Sequence, residues 1–138
     1  DRAFTLEFWR VDLDSYPGWQ RPSLTATDIE NVRKVLDGLM QALEPVRLHF
    51  AWRTLDDVLG YLDFYRQQVP GEPITTALDK VVYAKILPKL RGSDNPRLDQ
   101  ALADAIAILE GAGLARSKAK VEELQVDLRE HGSMRFWR

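Results

Sequence analysis

Apolar residues recur at three- and four-residue steps along most of this chain. Ile29, Val32, Leu36, Leu39, Met40 and Leu43 form one stripe, and Leu55, Val58, Leu59, Leu62 and Tyr65 a second. Leu78, Val81, Val82 and Ile86 make a third; Leu98, Leu102, Ala105, Ile106 and Leu109 a fourth; Val121, Leu124 and Leu128 a fifth. That spacing places each set on one face of a helix and leaves the opposite face polar. Five amphipathic helices with short connections predict a mainly α protein, a compact bundle closed around one core.

Punctuation sets the expected boundaries. Thr27-Asp28-Ile29-Glu30 has the spacing of a capping box, and Pro45 ends the helix behind it. Thr54 is the expected N-cap of the second helix, with Asp56 and Asp57 in its first turn where the helix dipole favours negative charge. Pro70-Gly71-Glu72-Pro73 is a break, and the third helix is expected from Thr75-Thr76. Pro88 lacks an N–H and crowds the preceding turn, so the regular helix should end or kink near Leu87. Gly92-Ser93-Asp94-Asn95-Pro96 reads as a loop, Gly111 and Gly113 bracket the end of the fourth helix, Ser117 caps the fifth and Gly132 closes it.

Strand signals are short and lie at the ends. Phe4, Leu6 and Phe8 alternate with Thr5 and Glu7, residues 46–50 alternate again, and Met134 to Trp137 reads as extended. Residues 10–26, with Pro17-Gly18 and Pro22, form a connector, and Trp9, Tyr16 and Trp19 beside it are read as packing residues rather than stacking platforms for a ligand. The division expected is a terminal strand and connector over 1–22 and a helical domain over 23–138.

Composition narrows the chemistry. With 138 residues and 45% hydrophobic side chains the chain can bury a core. Nineteen basic against 21 acidic residues argue against a strongly basic nucleic-acid surface, although a balanced total can conceal a local patch. Cysteine is absent and His49 and His131 lie far apart, so neither a disulfide framework nor a metal site is expected. No apolar run approaches the roughly 20 residues needed to span a bilayer, and no signal segment opens the chain, so the cytoplasm is the expected compartment. The chain begins at Asp1, directly on a strand-like alternation, and so reads as a piece of a longer protein.

Catalytic signatures are missing. There is no G-x-x-x-x-G-K-[ST], no G-x-G-x-x-G, no G-x-S-x-G and no H-E-x-x-H. The pairs Asp56/Asp57 and Glu122/Glu123 are adjacent residues that cannot face each other on a helix, so they read as solvated faces rather than acid/base dyads. Three arginines stand at element entrances: Arg2 before the first strand, Arg53 before Thr54, and Arg97 after Pro96. Surface placement or pairing with a carboxylate is the common role for such residues; the alternative is phosphate recognition, which suits guanidinium geometry.

Four segments in order carry a resemblance. Asp1-Arg2-Ala3-Phe4-Thr5-Leu6-Glu7-Phe8 resembles the L-D-R-A-[FN]-x-[IL]-E-F segment that ends the nucleotide-binding core of McrB-type AAA+ NTPases. Phe50 to Leu62 is similar to their F-x-Y-R-x-x-x-E-[VI]-x-x-[YF]-[IL] helix, and Ala77-Leu78-Asp79 through Ile86-Leu87-Pro88-Lys89-Leu90-Arg91-Gly92 to A-[LF]-D-…-[IV]-L-P-[KR]-[LI]-x-G. The end, from Ala115-Arg116-Ser117-Lys118-Ala119-Lys120-Val121 to Gly132-Ser133-Met134-Arg135-Phe136-Trp137, is similar to S-x-x-K-[IL]-x-x-M-…-G-F-T-S-F-W. Trp52 stands for the usual Tyr, Asp57 for Glu, and Ser133-Met134-Arg135 for Phe-Thr-Ser; the last departure leaves the subgroup open.

The resemblance implies the last core strand and helical lid of an AAA+ protein, with the Walker A loop, Walker B acid and first sensor in an N-terminal part outside this chain. It implies Arg53 as the lid arginine that reaches nucleotide phosphates, and Arg2 as an arginine acting in trans on a neighbour's nucleotide. No cofactor is expected in the chain itself, and ATP or GTP with Mg in the longer protein. The implied partners are the rest of the AAA+ core, neighbouring subunits of a ring and a nuclease, in modification-dependent DNA restriction and phage defence. DNA is met only through other domains, and no membrane is involved. Lys89 and Arg91 stay open as residues facing a partner subunit. The alternatives are a MoxR-type chaperone-like AAA+ ATPase and a free-standing helical interaction module.

Overall fold

A computed structural model of the chain describes residues 13–46, 52–93 and 95–137. Arg2, the strand expected over 4–8, Trp9 and residues 47–50 of the second alternating segment lie outside the described residues. The protein is mainly helical. A 3-10 turn, Leu13–Ser15, leads to α1 (Ala26–Ala42), a second 3-10 turn (Glu44–Val46), α2 (Trp52–Gln68) and α3 (Ile74–Val81). The chain then passes through a π segment (Val82–Ile86) and a 3-10 turn (Leu87–Lys89) into β1 (Arg91–Ser93). Helices α4 (Pro96–Ala112) and α5 (Ala115–His131) and strand β2 (Ser133–Arg135) complete it. No described helix is long and apolar enough to cross a membrane.

Helices α4 and α5 form a tight hairpin; α1 packs on α4, and α2 packs on α3, which reaches α5. The predicted stripes meet between them. Val32, Leu36, Leu39, Leu43, Leu55, Val58, Leu59, Leu62, Leu102, Leu109, Val121 and Leu128 are all essentially inaccessible and belong to one continuous core. Burying such a side chain contributes about 1.5–3 kcal/mol relative to leaving it exposed, so the stripes dominate the stability of the bundle.

The connector joins this core rather than trailing from it. Tyr16 and Trp19 are only 4% and 8% exposed, with Trp19 Nε1 donating to the Leu13 carbonyl at 2.7 Å and the two rings edge to face at 5.4 Å. Two carboxylates of α2 hold it down. Asp56 accepts from the Tyr16 hydroxyl and from Arg21, and Asp63 accepts from the Ser23 N–H at 2.7 Å. Burial, followed by the Asp56 carboxylate, pushes the Tyr16 phenol above its usual range.

Cap assignments shift by a few residues. The capping box is Thr25 with Asp28, not Thr27 with Glu30: Asp28 N–H donates to Thr25 Oγ1 at 3.0 Å, and Thr25 N–H to Asp28 Oδ2 at 3.2 Å. Both tetrads fit the signature, but Asp28 has a second task. Its other oxygen takes Arg66 of α2 at 3.1 Å in a largely buried ion pair, and Arg66 also reaches the carbonyls of Pro70 and Glu72. Thr54 is not an N-cap, because α2 already begins at Trp52 and Thr54 is buried in its first turn.

Around Pro88 the α-helical pattern gives out earlier than expected, at Val81. Proline cannot donate to the carbonyl four residues back, so the chain changes pitch ahead of it. Leu87 N–H instead bonds Val82 five residues back, and Leu90 N–H closes the 3-10 turn on Leu87 at 3.0 Å. The change of pitch keeps Val82, Ile86, Leu87 and Leu90 all buried.

The expected loop over Gly92–Pro96 is also corrected. Arg91–Ser93 pairs antiparallel with Ser133–Arg135, in the register Arg91↔Arg135, Gly92↔Met134 and Ser93↔Ser133. Three residues are too few to leave an alternation, and the partner strand comes some forty residues later, so no local signal marks β1. Asn95 then caps α4 through Leu98 N–H at 2.8 Å. Gly113 and Gly132 end α4 and α5 at φ of 76° and 75°, the left-handed conformation that disfavours side chains.

Candidate functional site

Arg53 lies in the first turn of α2, with its side chain exposed. The core-facing arc of this helix is set by Leu55, Val58, Leu59 and Leu62, and at 100° per residue Arg53 falls on the opposite arc, in line with Asp57, Gly60 and Phe64. No hydrogen bond or ion pair holds its guanidinium among the described residues. Its neighbour Trp52 is half exposed at 49% and packs edge to face on Tyr16 at 6.3 Å. Asp56, one turn further along, is already committed to Tyr16 and Arg21. The arrangement presents a cation without a carboxylate partner among the described residues, at a helix entrance whose base is anchored by the connector.

Arg97 is likewise exposed, in the first turn of α4 behind Asn95. Helices α2 and α4 are not principal packing partners, so the fold gives no common site to Arg53 and Arg97. Arg2 lies outside the described residues.

The acidic pairs are surface features. Glu122 and Glu123 face Lys118 and Lys120 in helical ion pairs, and Asp56 binds the connector. A depression of about 300 Å³ between the Leu13–Ser15 turn and α1 is lined by Leu13, Asp14, Glu30, Arg33, Lys34 and Asp37. Its charges compensate one another, with Arg33 bound to Asp14 and lying 5.1 Å from the Trp19 ring centroid. Among the described residues no three His, Asp or Glu side chains are grouped to hold a metal ion.

A second polar feature was missed in the sequence because its two halves are far apart. The β1–β2 ribbon sets Arg91 directly opposite Arg135, both exposed. Behind it, aromatic rings alternate with cations: Arg116 lies over Tyr83 at 4.3 Å, Tyr83 meets Phe136 at 5.2 Å, and Lys120 lies over Phe136 at 4.8 Å. Phe136 in turn meets Trp137, which is 82% exposed.

A domain family of unknown function, DUF8727, matches residues 10–133, most of the chain. The chain belongs to that family. No curated protein and no solved structure matches it. The DUF8727 match takes in Arg53, Arg91 and Arg97 but not Arg2, Arg135 or Trp137. It brings no activity with it, so the chemistry of the DUF8727 domain must be argued from its own residues.

Proposed function

We propose that this chain is the helical lid of an AAA+ NTPase of the McrB type, closing over nucleotide and helping to assemble a ring in a longer protein. The observation that carries this reading is Arg53, an exposed guanidinium at a helix entrance with no carboxylate satisfying it among the described residues. Its planar fork of donors suits the oxyanions of nucleotide phosphates, where charge accumulates as the phosphoryl group transfers. The bundle beneath supplies a rigid mount, because α2 is fixed on one side by the core and on the other by Tyr16, Arg21 and Ser23.

One arginine binds one edge of a nucleotide. The same proposal assigns Mg, the remaining phosphate contacts and the attacking water to the AAA+ core of the longer protein. ATP and GTP fit Arg53 equally, since it would meet only phosphate. Arg2 is the proposed trans arginine, making hydrolysis depend on ring assembly. A partner nuclease and a role in DNA restriction belong to the same proposal.

The test compares the 138-residue chain with the longer protein that the reading implies. The chain alone should hydrolyse neither ATP nor GTP, and a Walker A loop should lie upstream of Asp1 in the same polypeptide. Turnover by the isolated chain, or a parent gene without that loop, contradicts the proposal.

A second reading, a free-standing helical interaction module, draws on one observation. Tyr61 and Phe64 are exposed on α2, Phe64 at 60%, beside the stacked Tyr61–Tyr65 pair. It predicts that Phe64→Ser abolishes partner capture while Arg53→Ala does not.

A further inference from the structure

Like charges set directly opposite on paired strands destabilise the pair, and the β1–β2 ribbon carries such a pair at Arg91 and Arg135. Met134 is buried, so alternation turns Arg135 away from the core, and its cross-strand partner Arg91 faces the same way. Opposed side chains in an antiparallel pair start about 5 Å apart, close enough for two guanidiniums to share one anion. Among the described residues neither has a carboxylate partner.

The charge around them is segregated. Residues 80–93 carry Lys80, Lys85, Lys89 and Arg91 without an acid, and residues 132–138 carry Arg135 and Arg138 without an acid, in a chain whose net charge is −2. Pairing β1 with β2 brings Arg91 of the first segment opposite Arg135 of the second. Two residues beyond Arg135, Trp137 stands 82% exposed, its ring nearly perpendicular to that of Phe136 with centroids 4.6 Å apart. Phe136 is itself clamped by Tyr83 and Lys120, giving the exposed indole a fixed base.

We infer that the β1–β2 ribbon is a binding surface for single-stranded nucleic acid, with Arg91 and Arg135 gripping backbone phosphate and Trp137 stacking on a base. The paired guanidiniums supply charge complementarity to a phosphodiester chain, and the 82% exposed indole beside them favours this occupant over an acidic peptide, which has no base to stack. Sequence preference is not expected, because every base offers a π-face. The inference is independent of the role given to Arg53, and it departs from the expectation that DNA is met only through other domains.

The test is titration of the 138-residue chain with a single-stranded oligothymidylate at low ionic strength, followed by indole fluorescence and repeated at increasing salt. Binding should quench Trp137, so the fluorescence change should be lost in Trp137→Phe; a full change in that variant counts against stacking at Trp137. Arg91→Ala and Arg135→Ala should each weaken binding, and the double variant should lower the salt slope by roughly 0.7, the value for one phosphate contact on a single strand. Trp137→Ala should weaken it about tenfold, within the usual worth of one stacked base.

Arg91→Glu separates binding from folding. It should abolish binding while raising the thermal midpoint, since an opposed pair of unlike charges replaces a repulsive one. Arg53→Ala should leave oligonucleotide binding unchanged. The inference is overturned if the arginine variants keep wild-type affinity and salt slope, or if polyglutamate or anionic phospholipid vesicles bind as tightly as the oligonucleotide.

Discussion

Asp79 on α3 caps α5 through Ser117. The Asp79 carboxylate accepts the Ser117 N–H at 2.8 Å and the Arg116 N–H at 2.9 Å, and the Ser117 hydroxyl returns a bond to the Asp79 carbonyl at 3.1 Å. The residue at the N-cap position, Leu114, has no side chain able to do this. A helix start therefore depends on a carboxylate nearly forty residues earlier, and the negative charge also favours the positive end of the α5 dipole.

Replacing that carboxylate should loosen the α3–α5 contact specifically. Asp79→Ala is expected to cost about 1–3 kcal/mol, because it removes a cap and leaves two helix-end donors without their acceptor. Asp79→Asn, which keeps an acceptor oxygen but not the charge, should cost less. Chemical denaturation of the two variants measures both; equal stability of Asp79→Ala and wild type would rule out the cap as a structural element.

Asp99 gives a pH signature. Arg129 grips it with two bonds, Nε to Oδ1 at 2.7 Å and the second nitrogen to Oδ2 at 3.1 Å. Those hydrogen bonds, aided by the arginine's charge, hold the Asp99 carboxyl below the usual carboxylate range. A depressed folded-state pKa contributes stability that is present above the unfolded pKa and lost as pH falls through the folded one. Wild type should thus exceed Asp99→Asn in thermal midpoint at neutral pH, by a small margin because the pair is at the surface. The margin should shrink as pH drops below about 4 and close once the folded carboxyl is protonated. A constant gap across that range contradicts the assignment.

Gly92 is required by space, not by backbone conformation. A Cβ there would stand 2.7 Å from Leu98 Cδ2, and Leu98 is itself buried at the start of α4. Gly92→Ala should push the ribbon off α4 and cost about 1–3 kcal/mol. Gly60→Ala is the control: it has open space and sits within a helix, so it should be neutral or stabilising. Thermal unfolding of the two distinguishes them, and equal effects would contradict the packing argument.

The helical stripes were legible because each is a local pattern with one solution: Leu55, Val58, Leu59 and Leu62 are buried as their spacing requires. Features that depend on two distant segments were not. Thr27-x-x-Glu30 and Thr25-x-x-Asp28 have nearly the same signature, and Arg66 on another helix uses the second. Ser117 looked like a cap but has one supplied from Asp79, and β1 became a strand only through its pairing with β2.

The segment from Ala77 to Gly92, one of the four that carry the family resemblance, has a mainly structural explanation. Ala77, Leu78, Ile86, Leu87 and Leu90 are core, Asp79 is a cap, and Gly92 admits Leu98. Arg53 was legible as a surface cation because it stands at a helix entrance, whereas the Arg91–Arg135 pair lay hidden in a charge-balanced sequence.

The most direct measurement of the central claim is steady-state ATP and GTP hydrolysis by the longer protein carrying wild-type Arg53, Arg53→Lys or Arg53→Ala, with ring assembly followed in parallel. Loss of a phosphate-contacting arginine should lower turnover by tenfold or more, on the order of 1.4 kcal/mol or more of transition-state stabilisation. Arg53→Lys should recover only part of it, and assembly and thermal midpoint should stay as in wild type. Unchanged turnover in Arg53→Ala would contradict the account.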